Sequence, residues 1–258
     1  MFPVSPNDVA LFLTPSEAIA EDDLAAYRGL LTADELARCG RFVRPSDRNQ
    51  AVVTRALVRT TLSEMHPSVG PADWRFARGR AGRPEIAREH GLDLRFNVSH
   101  ARGLIALAVS KARFLGVDVE RIEDTGPTLD DIAHALAPAE LSRLRCVDVS
   151  RLPWALLSHW TLKEAYVKAR GTGITDDLRR LEVETAPPVR VNDEDRPPLE
   201  DWQFELFAAS RVHVLALAVG GEGPLGVLRL RAVRRVPLHE DQPVSLTQLD
   251  SAIPVDTA

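Results

Sequence analysis

Long apolar runs are missing from this 258-residue sequence. Nothing in it approaches the roughly 20 consecutive apolar residues of a membrane helix, and the mean hydropathy is −0.12, so a membrane span is excluded. The opening stretch, MFPVSPNDVALFL, lacks a basic segment ahead of its apolar part and carries Asn7 and Asp8. No signal peptide is therefore expected, and the cytoplasm is the expected compartment. Cysteine is almost absent: Cys39 and Cys146 stand far apart, outside any CxxC or Cys/His spacing, which leaves no support for a disulfide framework or a zinc site. A surplus of positive charge is lacking too. The net charge is −5 and the pI about 5.8, whereas counterion release on a nucleic acid needs a broad basic surface. A nucleic-acid partner is not expected, and a polyanionic ligand has to be met by a local basic cluster.

What is present is the composition of an ordinary globule, 45% hydrophobic and 27% charged, long enough for one large domain or two of about 130 residues. Residues Ser46–His66 carry Val52, Val53, Ala56, Leu57 and Leu62 at helical spacing. Leu92, Leu94, Phe96 and Val98 alternate with polar residues, and GLIALAVS and LGVDVE follow; the three runs predict a strand meander turning at Arg102-Gly103 and near Lys111–Arg113. A helical region over Leu129–Arg145 is interrupted by Pro138, which places Glu140 in the first turn of a second helix. A longer helix runs from Pro153 to Arg170, with Gly171 placed to end it. Strand-like runs follow, with NDEDRPP as an exposed loop and the stretch from Pro237 as a loose tail. SHARGLIALAVS and ASRVHVLALAVG echo each other, as two halves related by duplication would.

In LGVDVE, Asp118 and Glu120 lie two residues apart in a strand, so they project from one face while Leu115, Val117 and Val119 take the other. Two like charges on one face require a positive partner. Either a basic residue such as Arg121 neutralises them at a solvated strand end, or they hold a cation; oxygen ligands without Cys or His suit Mg²⁺. On the WTLKEAYVKAR helix, Glu164 and Lys168 are one turn apart, with Lys163 about 100° round from Glu164. They form either an exposed ion pair or a half-buried functional set, and the apolar neighbours Trp160, Ala165 and Tyr166 favour the second. In FNVSH a strand is expected to end at Val98, leaving Ser99 and His100 in the following turn. There Ser99 either meets a phosphate or caps the turn; no G-x-S-x-G elbow surrounds it as a nucleophile would require.

Taken in order, FNVSH…ALAVS, LGVDVE and WTLKEAYVKARGTG resemble the 4′-phosphopantetheinyl transferases of the two-lobed, surfactin-synthetase-activating type, over about Arg38 to Leu181. The resemblance implies an α+β fold of two similar α/β lobes with pseudo-twofold symmetry, each a small antiparallel sheet packed with helices. The lobes are expected at 1–122 and 123–236, with a tail over 237–258, in a monomer. It implies transfer of phosphopantetheine from coenzyme A to a serine of an apo acyl, peptidyl or aryl carrier protein, with Mg²⁺, releasing adenosine 3′,5′-bisphosphate. Asp118, Glu120 and Glu164 would bind the metal. Ser99 and His100 would meet nucleotide phosphates, and Lys163 and Lys168 the pyrophosphate or the departing bisphosphate.

Arg83, in GRP, stands where the family carries the lysine of Gly-Lys-Pro, and Arg38 is the candidate for the 3′-phosphate; Gln50-Ala51 departs from the family pattern, with Arg41, Arg44 or Arg48 to compensate. Glu140 is the preferred general base, with Glu164 or a metal-bound water as the alternative. The carrier would dock on an apolar patch in Thr125–Ala137 or in the loop after Gly171, serving fatty acid, polyketide, nonribosomal peptide or siderophore assembly. Two other readings remain open from sequence: a non-catalytic coenzyme A or nucleotide-binding module, and a Mg²⁺-dependent phosphohydrolase.

Overall fold

The computed structural model describes residues 5–17, 19–79, 82–123, 128–173, 177–196, 199–221, 223 and 226–249. The first described elements are strand β1 (Asp8–Pro15) and three helices, α1 (Glu21–Arg28), α2 (Ala33–Cys39) and α3 (Pro45–Met65). A small hairpin follows, β2 (Phe76–Arg78) with β3 (Pro84–Ile86), then β4 (Arg95–Ala101), β5 (Leu104–Ser110) and β6 (Phe114–Arg121). Next come α4 (Leu129–Ile132), α5 (Pro138–Leu144) and the long α6 (Leu152–Arg170). The chain continues through β7 (Leu181–Glu184), β8 (Arg190–Asp193), β9 (Trp202–Ser210), β10 (His213–Gly220) and β11 (Arg229–Arg234). The last described strands are two short ones, β12 (Gln242–Pro243) and β13 (Thr247–Gln248). No helix among the described residues is long and apolar enough to cross a membrane.

The fold is α+β. One sheet runs β12-β11-β1-β5-β4 and the other β13-β9-β10-β6. The predicted three-stranded meander is therefore corrected: β4 pairs with β5, but β6 leaves for the second sheet and pairs antiparallel with β10. In exchange, β11 from late in the chain joins the first sheet, parallel to β1. A cut at residue 122 thus does not separate the two sheets. The stretch from Pro237 is not loose over its described part, because β12 pairs with β11, β13 pairs with β9, and Tyr27 donates to the Pro237 carbonyl at 2.8 Å; residues 250–258 lie outside the described residues. Asn192 and Asp193, expected in a loop, belong to β8.

Three apolar cores follow from the period-2 pattern of the strands. Ile105, Leu107 and Val109 of β5 pack under α3, where Val53, Ala56 and Leu57 meet them. Ala216 and Ala218 of β10 pack under α6, against Ala165 and Ala169. Between the sheets, Ala106 and Ala108 of β5 meet Leu215, Leu217 and Val219 of β10, with Leu115, Val117 and Val119 of β6. The echoed strings, I-A-L-A-V in β5 and L-A-L-A-V in β10, are used in opposite phase, large residues from one strand facing small ones from the other.

Gly116 sets the height of α6. A Cβ there would fall 1.9 Å from the Ala165 carbonyl oxygen and 2.6 Å from the Ala169 nitrogen, so only glycine lets the helix backbone come this close to β6. The sheets meet at their edge strands β4 and β6, where Asn97 Oδ1 accepts from the Val117 N–H at 2.8 Å. This bond satisfies a backbone donor that no strand partner reaches.

Candidate active site

The seam between β4, β6 and α6 collects most of the predicted residues. Asp118 and Glu120 project from the β6 face opposite Val117 and Val119, as their spacing requires. On α6, Trp160, Glu164 and Lys168 recur every fourth residue and so share one face. Ser99, His100, Asp118, Glu120, Glu164 and Lys168 all line one cleft of about 380 Å³. Ser99 and His100 reach it from within β4, which continues to Ala101, rather than from a turn.

At the centre, Asp118 is 3% exposed. Its Oδ1 accepts from Ser99 Oγ at 2.7 Å and from Lys168 Nζ at 2.5 Å. Lys168 Nζ also donates to Ser99 Oγ at 3.0 Å. Asp118 Oδ2 is buried and has no partner, and neither has Glu164 Oε1. Glu120 Oε1 accepts from the Trp160 indole N–H at 3.1 Å.

Burial lifts the Asp118 carboxyl above its ordinary range, with Lys168 and Ser99 pulling the other way. Burial and the neighbouring Asp118 push Glu120 up to about 7. The same two causes raise Glu164.

Three carboxylates with one lysine among them, two of their oxygens buried without a donor, form an arrangement short of positive charge. The three carboxylates offer only hard oxygen donors and no thiolate lines the cleft, which fits Mg²⁺; His100 is the imidazole on the same cleft. Among the described residues no three His, Cys, Asp or Glu side chains are already drawn together as an ion would hold them. Lys168 Nζ on Asp118 Oδ1 supplies positive charge there in their place.

Four sequence expectations are corrected. Glu140 and Lys163 do not reach the cleft: their side chains are 0% exposed and pair with each other at 2.6 Å. Lys163 Nζ donates further to the Ala135 and Leu178 carbonyls, and Glu140 accepts from the N–H groups of Ala137 and Val183. Both Glu140 oxygens and all three Lys163 N–H groups are engaged inside the fold, out of reach of solvent, so Glu140 does not face a substrate proton and Lys163 does not face a phosphate. Spacing on α6 already separates Lys163 from the Glu164 face; only the tertiary fold shows that it turns inward.

Arg83 donates from its two terminal nitrogens to the Lys168 carbonyl at 2.7 Å and the Phe96 carbonyl at 3.0 Å. It clamps the end of α6 to β4 through its two terminal nitrogens, while its Nε is buried without a partner. Arg38 sits exposed on α2 and lines neither the cleft nor its neighbour.

Residues not singled out from sequence also line the cleft: Thr54 and Arg55 of α3. Arg55 makes no hydrogen bond or ion pair among the described residues, which leaves its guanidinium available to an anion. Their signal lay in the polar face of α3. Past His100 the cleft continues into a second hollow of about 570 Å³, lined by Arg44, Gln50 and Arg102. Of the three arginines proposed to compensate at Gln50-Ala51, Arg44 is the one placed there, while Arg48 is spent on the Phe42 and Val43 carbonyls. A further groove of about 520 Å³ beside Trp202 and Phe204 contains none of the predicted site residues.

Residues 18–112 match the family model "4′-phosphopantetheinyl transferase, N-terminal", and residues 114–218 match "4′-phosphopantetheinyl transferase superfamily". The division between the two falls just ahead of β6, the strand that crosses to the second sheet. The 4′-phosphopantetheinyl transferase HetI of Nostoc sp. is 31% identical over 218 residues, covering 84% of this chain and 90% of its own. A 4′-phosphopantetheinyl transferase of Bacillus subtilis is 26% identical over 169 residues, covering 66% and 71%. Among solved structures, a holo-(acyl-carrier-protein) synthase from Bacillus anthracis in complex with CoA (3′,5′-ADP) aligns with 43% of this chain and 98% of its own, at a TM-score of 0.36 and 21% identity. The chain belongs to the 4′-phosphopantetheinyl transferases, and it is an enzyme that transfers a phosphopantetheinyl group.

Proposed function

We propose that the cleft between β4, β6 and α6 takes phosphopantetheine from coenzyme A and delivers it to the serine hydroxyl of an apo acyl, peptidyl or aryl carrier protein, releasing adenosine 3′,5′-bisphosphate. The observation that carries this reading is the pair of buried, donorless oxygens, Asp118 Oδ2 and Glu164 Oε1, beside Lys168 in one cleft. Asp118, Glu120 and Glu164 would hold Mg²⁺, which when bound neutralises diphosphate charge and polarises the phosphorus.

The chain's own residues do the rest. Lys168, with 30% of its side chain exposed, has an N–H left to point at a diphosphate oxygen. Arg55 and His100 face the same space, and Arg44 lies in the adjoining hollow, which would take the nucleotide end. Together they stabilise negative charge as it gathers on the leaving bisphosphate. Ser99 holds Asp118 and Lys168 in position, so the nucleophile is the carrier's serine. With Glu140 locked in the core, Glu164, which lines the cleft, is the carboxylate left to take the proton of that serine.

The test is intact-mass spectrometry of a panel of apo carrier proteins incubated with the protein, coenzyme A and Mg²⁺. One or more carriers should gain the phosphopantetheine mass, and Asp118→Ala should abolish the gain while the protein stays folded. Stabilisation by coenzyme A with no carrier modified would instead identify a binding module, and release of product without any acceptor would identify a phosphohydrolase.

A further inference from the structure

One face of α6 treats the two β6 carboxylates alike. At its C-terminal end Lys168 occupies one oxygen of Asp118 and leaves Oδ2 without a partner. Two turns earlier, Trp160 occupies one oxygen of Glu120, and no described group donates to Glu120 Oε2. Between them stands Glu164 with its own donorless oxygen. Each carboxylate on β6 is thus held by a single donor from α6, and its second oxygen is left over.

A glutamate has three side-chain torsions, and holding it in one rotamer without a tether costs conformational entropy. The indole N–H is a donor that carries no charge. A second lysine at this position would pin Glu120 equally well, but it would place another positive charge where a cation is to bind. We infer that Trp160 is a positioning residue for the metal site: its indole N–H ties Glu120 down by one oxygen, which limits the freedom that the other oxygen would lose on taking up a cation with Asp118 and Glu164.

The indole is itself held. His134 packs edge-on to the Trp160 ring, centroids 6.5 Å apart, so the ring is buttressed from the segment that precedes α5. Groups that tether a metal's ligands in this way commonly change metal affinity by about 10- to 100-fold when removed.

This inference rests on the metal reading proposed above, and its test separates the two. The folded protein, with coenzyme A present, is titrated calorimetrically with Mn²⁺ as a stand-in for Mg²⁺, alongside Trp160→Phe, which keeps the aromatic ring and removes the donor. The indole N–H resonances of wild type, Trp160→Phe and Glu120→Gln are recorded by NMR in the absence of metal. Expected are a loss of Mn²⁺ affinity of about 10- to 100-fold in Trp160→Phe, with its metal-free melting temperature unchanged. The indole resonance missing from Trp160→Phe should be the one that moves in Glu120→Gln. Unaltered Mn²⁺ affinity in Trp160→Phe, or an indole resonance indifferent to Glu120→Gln, overturns the role of Trp160. Wild-type protein that takes up no Mn²⁺ overturns the metal site and this inference with it.

Discussion

Helix α3 lies against Ile105, Leu107 and Val109 of β5, whereas α6 lies against Ala216 and Ala218 of β10 and Gly116 of β6. The first helix is held off its sheet by large side chains, and the space between them is filled by ordinary apolar packing. The second meets its sheet almost backbone to backbone. That difference decides where charged groups can cooperate, because short side chains on β6 reach α6 only when the helix axis is close. Asp118 and Lys168 meet at 2.5 Å because Gly116 lets them. A second contrast lies along α6 itself. Lys163 and Lys168 both pair with carboxylates, but the first pair is sealed at 0% exposure while Lys168 keeps 30% of its side chain open to the cleft. The sealed pair organises the fold; the open one is available to a ligand.

The sharpest way to break this contrast is to remove one charge from each pair. Lys163→Met strands Glu140 in the core and should cost about 3–5 kcal/mol of stability, read by denaturant unfolding. Lys168→Met also removes a buried carboxylate's cation, but Asp118 keeps Ser99 as a donor and is already raised toward its neutral form, so the stability cost should be smaller and the loss of carrier modification complete. A folded, fully stable Lys163→Met protein would refute the structural role assigned to the sealed pair.

Next in size, Gly116→Ala drives a methyl group into the Ala165 carbonyl and must lift α6 from β6. The expected loss is about 1–3 kcal/mol, with carrier modification falling far more than stability does. Ala108→Gly, on the face of β5 where no helix approaches, should leave turnover intact.

The acidic cleft should also show in the pH dependence of stability. Glu120 is raised from 4.5 to about 7 on folding. Its ionisation therefore costs nothing below the unfolded value, and destabilises the metal-free protein progressively as pH rises through 7. Glu120→Gln removes that cost. Its metal-free melting temperature should exceed that of wild type at pH 8, by an equivalent of about 2 kcal/mol, and the gap should close near pH 4.5. A gap independent of pH would mean that the charge of Glu120 is not its cause.

The smallest effect expected is that of Arg83→Lys. If Arg83 clamps Lys168 and Phe96 through main-chain carbonyls, lysine restores the charge but not the fork, and about 1 kcal/mol of stability should be lost. If it held phosphate instead, lysine would preserve stability and the KM for coenzyme A would carry the change.

Much of the site was legible from spacing. Asp118 and Glu120 share a face because strands have period two, and Glu164 and Lys168 share one because helices return after about four residues. Ser99 and His100 were placed beside the acids, although within a strand and not after it. The misreadings have a common source. Glu140, Lys163 and Arg83 are polar residues close in sequence to functional ones, and the same residue types serve equally to bind a ligand or to satisfy buried backbone groups. The meander failed similarly, since local strand signals carry no information about which sheet edge a strand will join.

Periodicity and residue chemistry, both short-range properties of the chain, marked most of the elements and the shared faces, while the motifs FNVSH, LGVDVE and WTLKEAYVKARGTG carried the resemblance to the family. Whether a given charge faces water or the core depends on partners distant in sequence: the Ala135 and Leu178 carbonyls for Lys163, Asp118 and Ser99 for Lys168. Those partners are brought together by the crossing of β6 to the second sheet and the close seat of α6 on Gly116. The free energy of a buried ion is set by the groups around it in space, so folding, not spacing, assigned one lysine to the core and the other to the cleft.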